Sequence, residues 1–393
     1  MQTLSTPPLT SKLPQVGTTI FAVMSALAQK HQAVNLSQGF PDFPIDSRLI
    51  DLVEKNMRQG FNQYAPMAGW MPLRERIAEK TALCYGYSPD PETEITLTSG
   101  ATEALFDIIA ATVHPGDEVI VLEPGYDSYV PAILLAGGVP VSVNLDADKG
   151  YSIPTAALRA AISPRTKLLI FNTPHNPTGT IWRKEEMETL AELVRDTDIL
   201  LLSDEVYEHL IFDQEQHQSV LRFPELRARS FVVSSFGKSF HATGWKLGYC
   251  IAPPALTAEM RKVHQYVTFS SPTPMQCAIA EYLEQPEHYL NLGVFYQQKR
   301  DYMQQLLAQT PFEILPCGGT YFQLLGYGHL SDEPDTTYAE RLTREVGVAT
   351  IPVSVFYSDK TDRKVIRLCF AKRPETLEAA VARFVTHQNA LSR

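Results

Sequence analysis

The sequence contains few of the features that mark membrane, secreted or nucleic-acid-binding proteins. No apolar run approaches the roughly 18 residues that a membrane span needs, and the first residues lack the basic and apolar regions of a signal peptide. The formal net charge is −10, the sequence pI is about 5.5, and no basic stripe is present that could neutralise a phosphate backbone. We therefore expect a cytoplasmic protein whose partners include neither membrane nor nucleic acid.

Patterns that form disulfides or bind metals are also scarce. The five cysteines are widely scattered and show no paired C-x-x-C spacing, which predicts reduced, partly buried thiols. The ten histidines form neither an H-E-x-x-H motif nor a cluster with cysteine, so we expect no metal site. What remains is an ordinary globular composition: 393 residues, 44% hydrophobic and 20% charged, enough for one large domain or two medium ones.

Between about residues 95 and 253, short β-branched runs alternate with helical patterns. Several runs are apolar on both faces, and the segments between them carry apolar residues three and four positions apart. Buried strands joined by helical crossovers predict an α/β fold with a mostly parallel seven-stranded sheet flanked by helices. The predicted strands are EITLTS, EVIVLEP, VPVSVNL, KLLIFNTP, DILLLSDEVY, SFVVSSF and KLGYCIAP.

After about residue 254 the pattern changes to helices, and a tail then mixes short strands with helices. The tail predicts a smaller α+β domain that the N-terminal segment completes. We therefore predict a large domain over residues 46–290 and a small domain formed by residues 1–45 and 291–393. No Gly/Ser-rich linker marks the boundary.

One predicted strand ends in a glycine that opens a helix at once. The amides of Gly100, Ala101 and Thr102 would then lie at a helix N-terminus, a geometry that binds phosphate. Simple N-capping by Ser99 or Thr102 is the alternative, and it is favoured if this segment is considered alone.

Polar residues follow two further strands. The loop FNTPHNPTGTIW (171–182) presents Asn172, His175 and Asn176, although a plain turn also explains it, and His175 is a better candidate for a loop or core histidine than for a base. Asp204 and Glu205 follow four consecutive apolar residues, so at least one carboxylate lies at the mouth of a buried strand, where an unpaired charge is costly. That carboxylate needs a cationic partner, either a local arginine or a ligand that Tyr207 could also reach.

Lys238 lies just past the next buried strand, after Gly237. An amine in a dry pocket has a lowered pKa, which makes it a nucleophile towards carbonyl carbon; a solvated surface lysine is the ordinary alternative. Pyridoxal phosphate would use all these groups together. It offers an aldehyde for a lysine, a ring nitrogen for a carboxylate, a phenolic oxygen for Asn and Tyr, and a phosphate for a helix N-terminus and a cation.

An ordered set of motifs resembles a known family, the fold-type I, class I aminotransferases, which depend on pyridoxal 5′-phosphate. The set follows the family's order and spacing between residues 35 and 372: SQGFPDF, NQYAP, SGATEAL, NTPHNPTG, SDEVYEH, SSFGKSF, GWKLGY and RLCFAK. Within the family, the sequence is most similar to the group of methionine aminotransferases and kynurenine/glutamine transaminase K.

The resemblance implies a role for each residue around the cofactor. Lys238 would hold it as a Schiff base and move the substrate proton, Asp204 would keep its ring nitrogen protonated, and Tyr126 would stack on its ring. Asn176 and Tyr207 would hydrogen-bond its phenolic oxygen. The family more often has arginine at position 246, so a bidentate clamp becomes a point charge here. The residues implied to hold the phosphate are Gly100, Ala101, Thr102, Ser235 and Lys246.

The resemblance also implies how substrate and a second subunit are bound. Arg367 would grip the substrate carboxylate in a bidentate fork completed by Asn176 and the Gly39 backbone. A surface arginine is the alternative, but the neighbours of Arg367 on its strand are apolar. Tyr64 would reach the phosphate and substrate of the neighbouring subunit, so the active unit would be a homodimer with shared sites.

The substrate side chain is expected to be uncharged. Family members specific for aspartate and glutamate use a cation from the partner subunit, and the corresponding segment QYVTFSSPTPM (265–275) contains no lysine or arginine. We expect an apolar, aromatic pocket with Phe269, and with Tyr321 or Phe322, as walls. This favours methionine, aromatic amino acids, glutamine or kynurenine as amino donors and a 2-oxo acid as acceptor.

Three functions remain open at this point. The first, which we expect, is a transaminase. The second is a β-lyase that uses the same Lys238 chemistry on cysteine S-conjugates. The third is a transcriptional regulator, which would need an appended DNA-binding domain for which the residues before NLSQGF leave no room.

Overall fold

A computed structural model describes residues 9–392 and builds the chain mainly from helices. Most are amphipathic and begin at a proline, at a hydroxyl or carboxylate cap, or directly after a strand. They are α1 (Ile20–His31), α2 (Ser47–Arg58), α3 (Met71–Tyr85), α4 (Ala101–Thr112), α5 (Tyr129–Leu135), α6 (Thr155–Ala161), α7 (Lys184–Val194), α8 (Pro224–Arg227), α9 (Phe236–Ser239), α10 (Pro254–Val267), α11 (Thr273–Tyr282), α12 (Glu287–Leu290), α13 (Leu292–Leu307), α14 (Asp335–Arg341), α15 (Pro374–Thr386) and α16 (Gln388–Leu391).

The strands are short and lie mostly in the middle and C-terminal parts of the chain. They are β1 (Val34–Asn35), β2 (Ile95–Thr98), β3 (Glu118–Glu123), β4 (Val139–Asn144), β5 (Thr166–Asn172), β6 (Leu200–Asp204), β7 (Ser230–Ser235), β8 (Gly248–Ile251), β9 (Glu313–Ile314), β10 (Phe322–Gly326), β11 (Val348–Ala349), β12 (Ile351–Pro352) and β13 (Val365–Cys369).

The predicted seven-stranded sheet is confirmed. Its strand order is β2-β8-β7-β6-β5-β3-β4, and β8 is the one strand that runs antiparallel to its neighbours β2 and β7. The other strands of this sheet share one direction. Their carboxyl ends therefore meet at one edge, where ligands bind in such sheets.

Helices cover both faces of this sheet because its central strands are apolar on both sides. Along β5, Leu168 and Ile170 pack into a core with α4, α5 and α10. The alternating residues Leu169 and Phe171 pack into the larger core, which extends to α3 and α7. Burial on both faces fixes the register of the strands, since a shift by one residue would exchange the two sets.

The C-terminal part forms a separate four-stranded sheet in the order β12-β13-β10-β9. The N-terminal segment joins this part, because β1 pairs in parallel with β11. The predicted division into a large and a small domain, with boundaries at 45/46 and 290/291, stays a prediction. Residues 1–8 and 393 of the predicted small domain lie outside the described residues. None of the helices between residues 9 and 392 combines the length and apolar character needed to cross a bilayer.

Candidate active site

A cavity of about 330 Å³ opens at the carboxyl edge of the seven-stranded sheet and is closed on one side by β10 and β13. Among the residues predicted to contact cofactor or substrate, Tyr64, Phe269 and Tyr321 do not line it, and the others do. The lining includes Gly39, Gly100, Ala101, Thr102, Tyr126, Asn176, Asp204, Tyr207, Ser235, Lys238, Lys246 and Arg367, together with Phe21, Gln38, Phe40, Asn172, Thr243 and Phe322.

Lys238 lies on the one-turn helix α9, directly after β7, and its ammonium points into this cavity. Its Nζ donates hydrogen bonds to the Tyr321 hydroxyl at 3.0 Å and to the Gly39 carbonyl at 3.3 Å. The Tyr321 hydroxyl itself donates to the Gly39 carbonyl at 2.5 Å. Burial lowers the pKa of Lys238 to about 8, so a substantial share of neutral amine is present in mildly alkaline solution.

Asp204 ends β6 and lies across the cavity from that lysine. Its Oδ2 accepts a hydrogen bond from the Tyr129 hydroxyl at 2.7 Å, and its Oδ1 accepts a longer one from the Val206 amide at 3.4 Å. Burial raises the pKa of Asp204 to about 6 despite these hydrogen bonds. Within residues 9–392, no arginine forms an ion pair with Asp204, so the carboxylate still lacks the cationic partner that its position in the sequence predicts.

The start of α4 forms one end of the cavity. Gly100 has φ +76°, a conformation that favours glycine, and the first N–H groups of the helix have no acceptor within it. A Cβ on Gly100 would lie 3.2 Å from the ammonium of Lys246, and one on Gly248 would lie 2.9 Å from the Ala101 nitrogen. Both glycines therefore let a cation and a strand approach the helix N-terminus closely.

Arg367 is buried on β13, only 1% exposed. It donates to the Asn176 side-chain oxygen at 2.7 Å and to the Ser37 carbonyl at 3.1 Å, and its face lies 3.9 Å from the Phe322 ring centre. Its Nε has no hydrogen-bond partner among the described residues. Within residues 9–392, no carboxylate forms an ion pair with Arg367. Burial lowers the pKa of Arg367 to about 10. A buried, uncompensated cation is costly unless a ligand neutralises it.

The loop between β5 and α7 is held by its own asparagines. Asn172 donates to the Asp204 carbonyl at 2.7 Å and accepts from the Asn176 amide at 2.7 Å, which fixes Asn176 beside Arg367. His175 is buried against the Thr178 hydroxyl at 2.6 Å, and burial lowers its pKa to about 4. A neutral, enclosed imidazole agrees with the interpretation of His175 as a loop histidine.

Tyr64 and Phe269 lie together outside the cavity. Their rings meet edge to face with centres 5.6 Å apart, and they are 83% and 44% exposed. Tyr266 on the same segment is 86% exposed. Tyr64 and Phe269 therefore form one exposed aromatic surface, which we call the aromatic patch (Tyr64, Phe269).

Sequence reasoning missed the residue that holds Asp204. Tyr129 opens α5 and is only 2% exposed, and a buried phenol needs a hydrogen-bond partner. Its position three residues after Tyr126 was the available signal. Phe21 and Gln38 were also missed, because they come from a distant N-terminal segment with no strand-end signal.

The seven-stranded α/β sheet gathers at one edge a half-buried lysine, a buried carboxylate, a helix N-terminus with a cation, and an arginine that forms no ion pair among the described residues. This fold and site are those of a fold-type I enzyme that depends on pyridoxal 5′-phosphate. The family model described as aminotransferase class I and II matches residues 31–384, and the chain belongs to this family. It is therefore an aminotransferase, which acts on an amino acid and a 2-oxo acid.

Individual relatives cover almost the whole chain. Methionine aminotransferase of Escherichia coli (strain K12) is 52% identical, over 95% of this chain and 97% of the relative. Kynurenine–oxoglutarate transaminase of Dictyostelium discoideum is 36% identical, over 93% of each chain. A solved Escherichia coli structure, described as having a methionine aminotransferase function, superimposes with a TM-score of 0.94 at 52% identity and covers 96% of this chain and all of its own.

Proposed function

We propose that this aminotransferase takes methionine as amino donor, together with aromatic amino acids, glutamine or kynurenine. The observation that carries the proposal is the distribution of charge in the cavity. Its only lining cations among the described residues are Lys238, Lys246 and Arg367, and each has a function in binding the cofactor or the α-carboxylate. No cation remains in this subunit's lining to bind a second carboxylate.

The aromatic surroundings suit an apolar side chain. Phe21, Phe40 and Phe322 line the cavity near Gly39, and the exposed segment with Phe269 carries no basic residue between 265 and 275. Burying an apolar side chain contributes about 1.5–3 kcal/mol, whereas an aspartate side chain would lose its hydration without a charge partner. The names of the Escherichia coli and Dictyostelium relatives support methionine and kynurenine as donors.

The cavity residues fit pyridoxal phosphate. The N-terminus of α4, Ser235 and Lys246 would hold the phosphate, Tyr126 would cover the ring, and Asp204 would pair with the ring nitrogen, which supplies the cation that this carboxylate lacks. When bound, the cofactor offers an aldehyde for amines and a ring that withdraws electrons from the substrate Cα.

Two further side chains would bind the cofactor's phenolic oxygen. The Asn176 side-chain oxygen accepts from Arg367, which leaves its amide nitrogen to donate to that oxygen. Tyr207 borders the same part of the cavity.

Lys238 would attach to the cofactor and, once released by the amino acid, would carry the proton from the substrate Cα. The hydrogen bonds to Tyr321 and Gly39 give the released amine a defined position, and its lowered pKa favours the neutral form that accepts a proton. Arg367, with Asn176 and the Gly39 backbone, would bind the substrate α-carboxylate through a charge-assisted fork.

The aromatic patch is proposed to lie in a homodimer interface. Tyr64 is exposed and does not line the cavity of its own subunit. A second subunit would both cover the patch and receive Tyr64 and Phe269 in its site. The cytoplasmic location expected from the sequence stays a prediction.

A cysteine S-conjugate β-lyase would use the same residues but is not favoured, because the relatives reported above are named as aminotransferases. The test is a donor screen on purified enzyme with a fixed 2-oxo acid. Methionine, phenylalanine, kynurenine and glutamine should give kcat/KM at least about tenfold above aspartate, equivalent to about 1.4 kcal/mol. A preference for aspartate, or release of pyruvate and thiol from an added cysteine S-conjugate without any 2-oxo acid, would overturn the proposal.

A further inference from the structure

A buried cluster of three ionisable side chains lies directly behind the start of α4. It consists of Glu103 and Asp107, one turn apart on α4, and His264 on α10, and we call it the Glu-Asp-His cluster. Asp107 and His264 are completely buried. The His264 Nδ1 lies 2.7 Å from Glu103 Oε1 and 3.3 Å from Asp107 Oδ2.

Both ring nitrogens of His264 face acceptors. Its Nε2 lies 3.0 Å from the Met67 carbonyl, so this nitrogen must carry a proton, and Nδ1 faces two carboxyl groups. Although burial opposes the charge, the nearby carboxyl groups of Asp107 and Glu103 raise the pKa of His264 to about 9. His264 is therefore an imidazolium that donates in two opposite directions.

Each ring nitrogen of His264 connects to a different segment of the proposed cofactor site. On one side, Glu103 also accepts the backbone N–H of Ser99 through its second oxygen, immediately before Gly100, Ala101 and Thr102. On the other side, Met67 belongs to the loop that carries Tyr64, and the neighbouring Ala68 carbonyl accepts from the Leu97 amide at 3.0 Å. Two loops distant in sequence are thus joined through one side chain.

The backbone of His264 extends the connection to a third segment. Its carbonyl accepts the N–H groups of Thr268 and Phe269, at 3.1 and 3.0 Å. This places Phe269 in its left-handed conformation, φ +67°, with its ring against Tyr64. The start of α4, the Tyr64 loop and the Phe269 segment therefore meet at His264.

We propose that His264 is a positioning residue that holds the phosphate-binding start of α4 in register with the Tyr64 loop. The inference rests on the proposed function, because it takes the α4 N-terminus as the phosphate site. The proposal predicts an effect only on the part of the binding affinity that the cofactor's phosphate contributes. Loss of the bridge should weaken binding of pyridoxal phosphate but leave binding of pyridoxal, which has no phosphate, nearly unchanged.

The test compares the affinities of the cofactor-free enzyme for these two compounds, measured by absorbance titration. The ratio of the pyridoxal Kd to the pyridoxal phosphate Kd should fall by about tenfold or more in His264→Phe and in Glu103→Ala, because a charge-assisted bridge is lost. Glu103→Gln should stay within about threefold of wild type, since an amide can accept from Ser99 and donate to a neutral imidazole.

The matched control is His217→Phe. His217 forms another buried pair, with its Nε2 2.7 Å from Glu205 Oε2, but it does not contact α4 or the Tyr64 loop through any hydrogen bond among the described residues. This variant should lose comparable stability and keep the wild-type ratio. Hydrogen exchange of the amides in 62–69 and 99–102 should accelerate together in His264→Phe and not in the control.

The outcomes separate the two proposals. A wild-type ratio near one would overturn the phosphate site itself. A high wild-type ratio that His264→Phe and Glu103→Ala leave unchanged would overturn only the inference, and so would an equal loss in His217→Phe. Stoichiometric divalent metal in the purified protein that Glu103→Ala removes would show a metal in place of the imidazolium bridge, which also contradicts the inference.

Discussion

Asp204 should stabilise the cofactor-bound enzyme and destabilise the cofactor-free one. Its pKa rises from an ordinary value of 3.8 to about 6 because the carboxylate is buried. Between these two pH values the folded protein binds more protons than the unfolded chain, so stability falls as the pH rises through this window and stays reduced above it. At 1.36 kcal/mol per pH unit, this difference of roughly two units corresponds to an upper bound of about 3 kcal/mol.

Asp204→Asn removes the charge and keeps the shape. The Tyr129 hydroxyl can still donate to the amide oxygen, so the cofactor-free variant should be more stable than wild type by about 1–3 kcal/mol at pH 8. The gain should shrink towards zero near pH 4, where the wild-type carboxyl is protonated. Denaturant unfolding of both cofactor-free proteins at the two pH values measures this difference. The control is Asp198→Asn, at an exposed position. It should leave the free energy of unfolding unchanged at both pH values.

With the cofactor bound, Asp204→Asn should be harmful instead of stabilising. A neutral amide cannot form an ion pair with a protonated ring nitrogen, so Asp204→Asn should weaken pyridoxal phosphate binding and lower kcat by at least about a hundredfold, in keeping with removal of a charge-assisted contact. A variant that is less stable than wild type at pH 8 without cofactor, or one that keeps normal turnover, would refute the reasoning.

Four further substitutions, at three positions, test separate parts of the site. Lys246→Arg should tighten and Lys246→Ala should weaken pyridoxal phosphate retention by about tenfold, with smaller effects on kcat, as equilibrium dialysis of the cofactor would measure. Tyr321→Phe removes an acceptor of Lys238 and should lower kcat by about tenfold with little change in KM; an unchanged kcat in steady-state assays would exclude this role. Arg367→Lys should raise KM for the amino donor by about tenfold or more, because one ammonium replaces a bidentate fork, and equal KM values would contradict the assignment.

Much of the fold followed from local sequence patterns. All seven predicted strands of the large sheet are present. The pattern is clearest for β5, β6 and β7, which are apolar on both faces and almost wholly buried in the sheet. The same reasoning predicted that Asp204 and Lys238 lie close together, because Asp204 ends one strand and Lys238 follows the adjacent parallel strand. Their functions at the cofactor were implied by the family resemblance and stay predictions.

The contacts that sequence could not supply join segments far apart in the chain. Glu103 and His264 are 161 residues apart, and Tyr129 and Asp204 are 75 apart; neither pair has a spacing that a local pattern reveals. The environment of Arg367 could be predicted in part from the sequence. Its apolar strand indicated burial, but only the fold places it against Asn176.

The central claim is that Lys238 is the residue that binds the cofactor covalently. Borohydride treatment of the holoenzyme, followed by peptide mass mapping, tests it most directly, since reduction fixes the cofactor to the amine that holds it. The pyridoxyl group should be found on Lys238 in wild type and in Lys246→Ala, and Lys238→Ala should carry none. Modification of Lys246 instead, or a pyridoxyl group retained in Lys238→Ala, would contradict the account.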